Sequence, residues 1–344
     1  MDQGNVAFVT LATDDFYSTG ALVLAHSLKA VNTKAKLVVL VTSGISARVR
    51  DQLSKVFDLV EEVNKLDSND DENLAILQRP ELGVTLTKLH CWKLTQFSKC
   101  VFLDADTLVV KNCDELFEKP ELSAAPDVGW PDCFNSGVFV FQPSIETFGK
   151  LTKMAAEEGS FDGGDQGLLN AYFSDWSTAD ISRHLSFLYN MNINMSYTYL
   201  PAYNKFGKDV KIVHFLGNQK PWMFRYNKDT GNVNAPIGNA PLADFLKRWW
   251  RIFTEKVSSS PSGDEILNPN QNPKQKSLAE QFEKLTVAPK DANVCTPSTF
   301  TQQTIKKQDR LSEWEQGRID YLGEDSYANI EKKLDETING SKKE

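Results

Sequence analysis

Cysteine is scarce in this chain. Its five residues, Cys91, Cys100, Cys113, Cys133 and Cys295, are odd in number and show no pair at metal-type spacing. That pattern excludes zinc fingers and ribbons, and it fits a reduced, cytoplasmic compartment better than a disulfide framework. In such a compartment the sequons at Asn194-Met195-Ser196 and Asn339-Gly340-Ser341 carry no glycan. Long apolar runs are missing too: none approaches the roughly 20 residues that a membrane span needs. Met1-Asp2-Gln3-Gly4-Asn5 has no basic segment ahead of an apolar stretch, so no signal peptide is expected. Basic charge is in deficit, with 38 Lys and Arg against 46 Asp and Glu and a net charge of −8. Nucleic acid and anionic membranes are thereby excluded as main partners. Two phosphate-binding signatures are also absent. No Gly-x-Gly-x-x-Gly follows the first apolar run, and no Walker-type Gly-Lys-Ser/Thr loop occurs anywhere.

What is present reads as one large α/β domain with extra material behind it. The 344 residues are 41% hydrophobic, enough for a sizeable core. Val6–Leu11 and Leu37–Thr42 are continuous apolar strands of the kind a parallel sheet buries on both faces. Helical patterns over Ala21–Ala30 and Ser46–Phe57 alternate with them, which predicts βαβ units in a doubly wound sheet. Ligands of such sheets bind beyond the carboxyl ends of the strands. Leu11, Thr13, Asp14 and Tyr17 occupy that position after the first strand. Leu66–Leu82 reads as a loop, and Thr85–Leu94 as an amphipathic helix with Lys88 on its first turn.

The most informative stretch is Cys100–Val110, apolar and β-branched residues around Asp104-Ala105-Asp106. In a single extended strand both carboxylates point to one side, as half of a hard-cation site. Alone the triplet is weak, because Asp-x-Asp also arises by chance at solvated strand ends. Other stretches converge on the same chemistry. Asn135-Ser136-Gly137 precedes an apolar strand, and a helical pattern follows over Ile145–Glu158. In Ser160–Asn170 two glycines make a tight turn before Asp165-Gln166 opens a short helix. A plain helix cap explains Asp165 equally well. His214 ends a late apolar strand, where a satisfied core histidine is the commoner case. The turn at Gly217, Lys220, Pro221 and Trp222 would let backbone and an ammonium approach a diphosphate. Two aspartates and a histidine suit Mn²⁺ with open positions better than a structural zinc. After the amphipathic Pro241–Lys256, the Ser-, Pro- and Asn-rich run from Val257 reads as a flexible linker. Trp314–Leu334 then returns large apolar residues to a short tail, the pattern of a peptide that folds into a partner's groove. Docking of that tail on its own domain is the simpler alternative.

Assembled, these stretches closely resemble the glycogenins, retaining glucosyltransferases of family eight with a GT-A type, Rossmann-like nucleotide-sugar-binding fold. The likeness is carried by Phe8-Val9-Thr10-Leu11, Arg79 through Trp92, Asp104-Ala105-Asp106-Thr107-Leu108, Gly129 through Phe139, Gly159 through Gly167, and Val213-His214-Phe215-Leu216-Gly217. It implies a glucosyltransferase domain over residues 1–256, a linker over 257–310 and a glycogen-synthase-binding segment over 311–344, with contact through 314–335. It further implies that Asp104, Asp106 and His214 hold Mn²⁺, and that Leu11, Thr13, Asp14 and Tyr17 line the uridine site of UDP-glucose. Lys88, Asn135, Asp162, Asp165 and Gln166 would surround the glucose, with Ala105 and Ser136 also contacting the donor. Gly217 and Lys220 would meet the phosphates. Lys88, Asp162 and Asp165 are the expected catalytic groups, and either aspartate would stabilise or attack the anomeric carbon. The acceptor by resemblance is Tyr197, aligned on Tyr-x-Tyr-Leu-Pro-Ala, with Tyr199 a lesser candidate. A homodimer is implied as well. Two competing readings are a transferase acting on a free small acceptor such as a polyol, and a non-catalytic tether for glycogen synthase.

Overall fold

The computed structural model describes residues 5–258, apart from 69, 77–79, 194–198 and 236–239. Tyr197, the C-terminal segment and all but the first two residues of the expected linker lie outside the described residues. The chain opens with β1 (Val6–Ala12), α1 (Asp15–Ala30), β2 (Lys36–Val41), α2 (Ala47–Val56) and β3 (Leu59–Glu62). A short α3 (Asp71–Ile76) lies inside the segment expected to be loop. After a 3-10 helical stretch at Pro80–Lys93 come β4 (Lys99–Leu103), β5 (Thr107–Val109), β6 (Ser123–Pro126) and β7 (Phe134–Phe141). α4 (Ile145–Glu157), α5 (Asp165–Tyr172), β8 (Met191–Asn192), α6 (Leu200–Phe206), β9 (Ile212–His214) and α7 (Ala240–Ile252) complete the domain, and a π turn carries α7 on to Val257.

Six strands form the main sheet in the order β3-β2-β1-β4-β7-β6. β1 to β4 are mutually parallel, as the alternation of strand and helix predicts, and β7 runs antiparallel between β4 and β6. The sheet is therefore mixed and mostly parallel. Its strands are apolar on both faces because both faces are covered. Phe8, Val101 and Leu103 join one core with Leu22 and Leu24 of α1, Leu53 of α2 and Trp249 of α7. Ala7, Val9, Cys100 and Phe102 join the other, with Leu89 and Trp92, Leu151 of α4 and Leu168 of α5. The split by odd and even position is the period-two rule of an extended chain.

Three further expectations about these elements need correction. α1 starts at Asp15 rather than Ala21, because Asp14 caps it by accepting the Tyr17 N–H at 2.8 Å. The polar run before Ala21 is thus the helix's own first turns. Gly20 within it lets α1 approach the site: a Cβ there would stand 2.4 Å from the Ala105 carbonyl oxygen and 2.5 Å from the Trp222 ring.

Cys100–Val110 is not one strand. The chain turns at Asp104–Asp106, where the Thr107 N–H and hydroxyl both donate to the Asp104 carbonyl, at 3.0 and 2.7 Å. β4 stays in the main sheet while β5 pairs with β9 in a three-stranded sheet, order β5-β9-β8. The acidic pair sits on the corner between the two sheets.

Thr85–Leu94, expected as an amphipathic α-helix, lies almost wholly in the 3-10 stretch Pro80–Lys93 and winds more tightly because neighbours pack around it rather than against one stripe. Every position from Leu86 to Trp92 is buried. With three residues per turn, Thr85, Lys88 and Cys91 stack in one row, and its two polar members are used in the site.

Candidate active site

The corner after β4 faces the end of β9. Thr107 pairs with His214 across β5 and β9, and Asn192 of β8 pairs with His214 from the other side. This register brings one ligand atom from each of Asp104, Asp106 and His214 within 4.8 Å of the others. Asp106 and His214 are buried, and Asp104 is partly open to solvent.

Two ammonium groups hold the carboxylates. Lys220 pairs with Asp106 through Oδ2, and His214 Nε2 lies 3.4 Å from Asp106 Oδ1. Lys88, itself buried, stands 3.0 Å from Asp104 Oδ1 and 2.6 Å from Asp165 Oδ2. It also donates to the Ser136 carbonyl at 3.2 Å and covers the Phe102 ring at 4.9 Å from its centroid. Asp165 is set by the stacked row above, its N–H donating to Thr85 Oγ1 at 3.1 Å.

These charges are strongly perturbed. Burial pushes the Asp104 carboxyl up, against the pull of the Lys88 ammonium. Burial would raise Asp106 as well, but Lys220 and then His214 outweigh it and keep that carboxyl well below the usual range. Burial alone would lower Lys88, yet Asp104 and Asp165 raise it, so it stays charged. Two carboxylates and an imidazole, with the lysines set to the side, suit a divalent cation that keeps open positions for a ligand. The donor set fits a metal.

The sugar-side candidates form one amide network. Gln166 Oε1 accepts the Ser136 N–H at 3.1 Å and the Asn135 side-chain amide at 3.1 Å. Asp127 Oδ2 takes N–H groups from Asn135 at 3.0 Å and Gln166 at 3.2 Å. Asn135 Oδ1 accepts from the Asn190 amide at 2.8 Å and from the Gly137 N–H at 3.0 Å. Asp162 closes the turn before α5, where Oδ1 accepts from the Ser160 hydroxyl at 2.8 Å and the Gly164 N–H at 2.9 Å. Asn135-Ser136-Gly137 therefore lies inside β7 rather than ahead of it, on the strand that neighbours the corner.

Residues 8–225 match the family described as glycosyl transferase family 8. The chain is 51% identical to Glycogenin-1 of Mus musculus, over 96% of this chain and 98% of that one. The chain belongs to the glycogenins of glycosyl transferase family 8. It is also 58% identical to Glycogenin-2 of Homo sapiens, over 73% of this chain and 51% of the relative. In fold it is similar to an active-site mutant of LgtC, with a TM-score of 0.50 at 19% identity, over 72% of this chain and 95% of that one. GT-A is thus the fold class of this family 8 chain.

Within the family 8 frame, Asp104, Asp106, His214, Lys220, Lys88, Asp165, Asn135, Ser136 and Gln166 form one connected cluster. Leu11 is the last residue but one of β1, and Thr13 and Asp14 make the turn into α1. Tyr17 packs edge-on to Trp222 at 5.6 Å, next to the turn that carries Lys220. Gly217 adopts φ 116°, a backbone open to glycine alone at little cost. Tyr199, at the start of α6, is 69% exposed, as an acceptor phenol would need to be. Three partners carried no local signal in the sequence: Asp127, Asn190 and Thr85. Their contacts span 39, 55 and 80 residues along the chain, for Gln166–Asp127, Asn190–Asn135 and Asp165–Thr85.

Proposed function

We propose that the chain transfers glucose from UDP-glucose, with retention, onto its own Tyr197 and extends it as a short α-1,4-glucan that primes glycogen. The enzyme class rests on family membership: the chain is a UDP-glucose glucosyltransferase of the self-glucosylating kind. The observation that carries the reading is the convergence of Asp104, Asp106 and His214 between two buried lysines. Mn²⁺ is the ion we assign to the three ligands. When bound there it would neutralise charge on the diphosphate as UDP departs.

The chain's own residues then have separate tasks. Lys220 adds a positive charge on the leaving-group side. Lys88 holds Asp165 and Asp104 in fixed geometry, and Asn135 and Gln166 offer a preorganised amide surface to the glucose hydroxyls. Asp162 or Asp165 faces the cationic, oxocarbenium-like anomeric carbon, stabilising it or attacking it. Leu11, Thr13, Asp14 and Tyr17 receive the uridine.

The wider assembly follows the same reading. Residues 1–256 form the glucosyltransferase domain, 257–310 a linker, and 311–344 a segment that binds glycogen synthase through 314–335. The protein acts as a homodimer in the cytoplasm. No helix among the described residues is long and apolar enough to cross a membrane, and Cys91, Cys100, Cys113 and Cys133 are free thiols.

The test is the intact mass of purified protein after incubation with UDP-glucose and Mn²⁺, beside Tyr197→Phe. A ladder of hexose increments in the wild type alone is expected. A ladder in both moves the acceptor, with Tyr199 next in line. No ladder in either, once sugar acquired during expression is removed, leaves a small-acceptor transferase or a tether.

A further inference from the structure

The His214 ring makes a second contact that the reaction does not by itself require. Its Nδ1 lies 2.9 Å from Asn190 Oδ1, and Asn190 is buried, at 5% exposure, just before β8. Which atom donates can be worked out from one unambiguous group. The Gly137 backbone N–H donates to the Asn135 side chain, so the atom it meets is the carbonyl oxygen of that amide. The Asn190 atom that also meets this oxygen must then be its NH₂. Asn190 therefore presents its own carbonyl oxygen to His214, and Nδ1 must carry a hydrogen. Nε2 is left to face Asp104 and Asp106. A second backbone group fixes the rest in the same sense. The Ser136 N–H defines the Gln166 oxygen, which turns the Gln166 NH₂ toward the carboxylate of Asp127.

The ring is confined as well as oriented. A Cβ on Gly137 would stand 2.3 Å from His214 Cε1 and 2.7 Å from Nδ1, so the imidazole fills space that only a glycine leaves. Nε2 lies 3.4 Å from Asp106 Oδ1, so the ring's second nitrogen is on the carboxylate side, where a cation held by Asp106 would meet it.

We infer that Asn190 is a positioning residue for the metal site, holding His214 with Nδ1 protonated so that Nε2 is delivered to the cation. The inference rests on the proposed metal reading and adds to it a residue that acts through His214. Asn190 also couples the metal ligand to Asn135 on the sugar side, and it directly precedes β8. Partners of this kind commonly change metal affinity by about 10- to 100-fold when removed.

The test is Mn²⁺ binding to the full chain in the presence of UDP, followed by electron paramagnetic resonance, which involves no turnover. Asn190→Leu is expected to weaken Mn²⁺ by about 10- to 100-fold. Asn190→Asp keeps an acceptor for Nδ1–H and is expected to stay within about threefold of wild type, a rescue that a merely structural role would not produce. Equal affinity in Asn190→Leu and wild type overturns the inference, as does equal loss in both variants. Wild-type protein that binds no Mn²⁺ overturns the metal reading, and the inference with it. Should Asn190→Leu fail to fold, ¹⁵N spectra of the wild type decide. The chain has only four histidines, and a neutral His214 carrying its proton on Nε2 is the result that would refute the assignment.

Discussion

Lys88→Met removes one cation from between two carboxylates and keeps most of the stem. In the native site Lys88 is 3% exposed and stands 3.0 Å from Asp104 and 2.6 Å from Asp165. Breaking a buried pair from one side costs about 3–5 kcal/mol, since a charge is left uncompensated where water cannot reach it. The described domain is near 250 residues, a size at which 1 kcal/mol moves the melting temperature by about 2–4 °C. Metal-free Lys88→Met is therefore expected to melt about 6–20 °C below wild type at pH 7.5, by differential scanning fluorimetry in EDTA. The gap has a pH sign. Burial already raises Asp104, and loss of Lys88 removes the opposing pull. An acid raised in the folded state favours folding below its unfolded pKa and loses that contribution as pH rises through the folded value. The deficit should then narrow between pH 7.5 and pH 5. A variant within 2 °C of wild type at pH 7.5, or a deficit that widens on acidification, would refute the picture of Lys88 as the counter-ion of a buried acidic pair.

Gly137→Ala is expected to weaken Mn²⁺ at least tenfold in a UDP-containing titration, because the new methyl occupies the place of the His214 ring; unchanged affinity would show that the ring can move aside. Asp14→Ala should lower stability by about 0.5–2 kcal/mol in urea melts, while Asp14→Asn should stay near wild type, because only alanine abolishes the cap on Tyr17 N–H. Equal losses in the two variants would mean that charge rather than capping is what Asp14 contributes.

Much of this arrangement was legible in the chain itself. β1, β2, α2 and α4 were readable from apolar runs and 3.6-residue patterns, because local periodicity and the buried sheet ask for the same residues. Asp104, Asp106, His214 and Lys220 were readable as chemistry at element ends. The turn between β4 and β5 was not. Its residues have strand propensity throughout, and what breaks the strand is β9, which pairs with β5 from about 105 residues away. Nor could Asp127 or Asn190 be singled out, since an aspartate in a loop and an asparagine beside a tyrosine are ordinary solvated residues until the fold brings Gln166, Asn135 and His214 to them. The tight winding of Thr85–Leu94 was hidden for a related reason: its leucines fit a 3.6-residue stripe, and the burial of Thr87, Lys88 and His90 beside them comes only with the fold.

Gly20 has a consequence for anyone who would engineer this protein. Replacing a helical glycine by alanine is a standard route to a more heat-resistant protein, with a gain of up to about 1 kcal/mol from backbone entropy and helix propensity. At this position the added methyl would press on the Ala105 carbonyl and on Trp222, the two groups that flank the acidic corner and the Lys220 turn. The glycine keeps α1 less rigid than it could be in return for a close fit behind the acidic corner. The clash with backbone costs more than helix propensity returns, so the usual glycine-to-alanine route to heat resistance is closed at this position, and the close fit behind the acidic corner is itself part of what holds the fold.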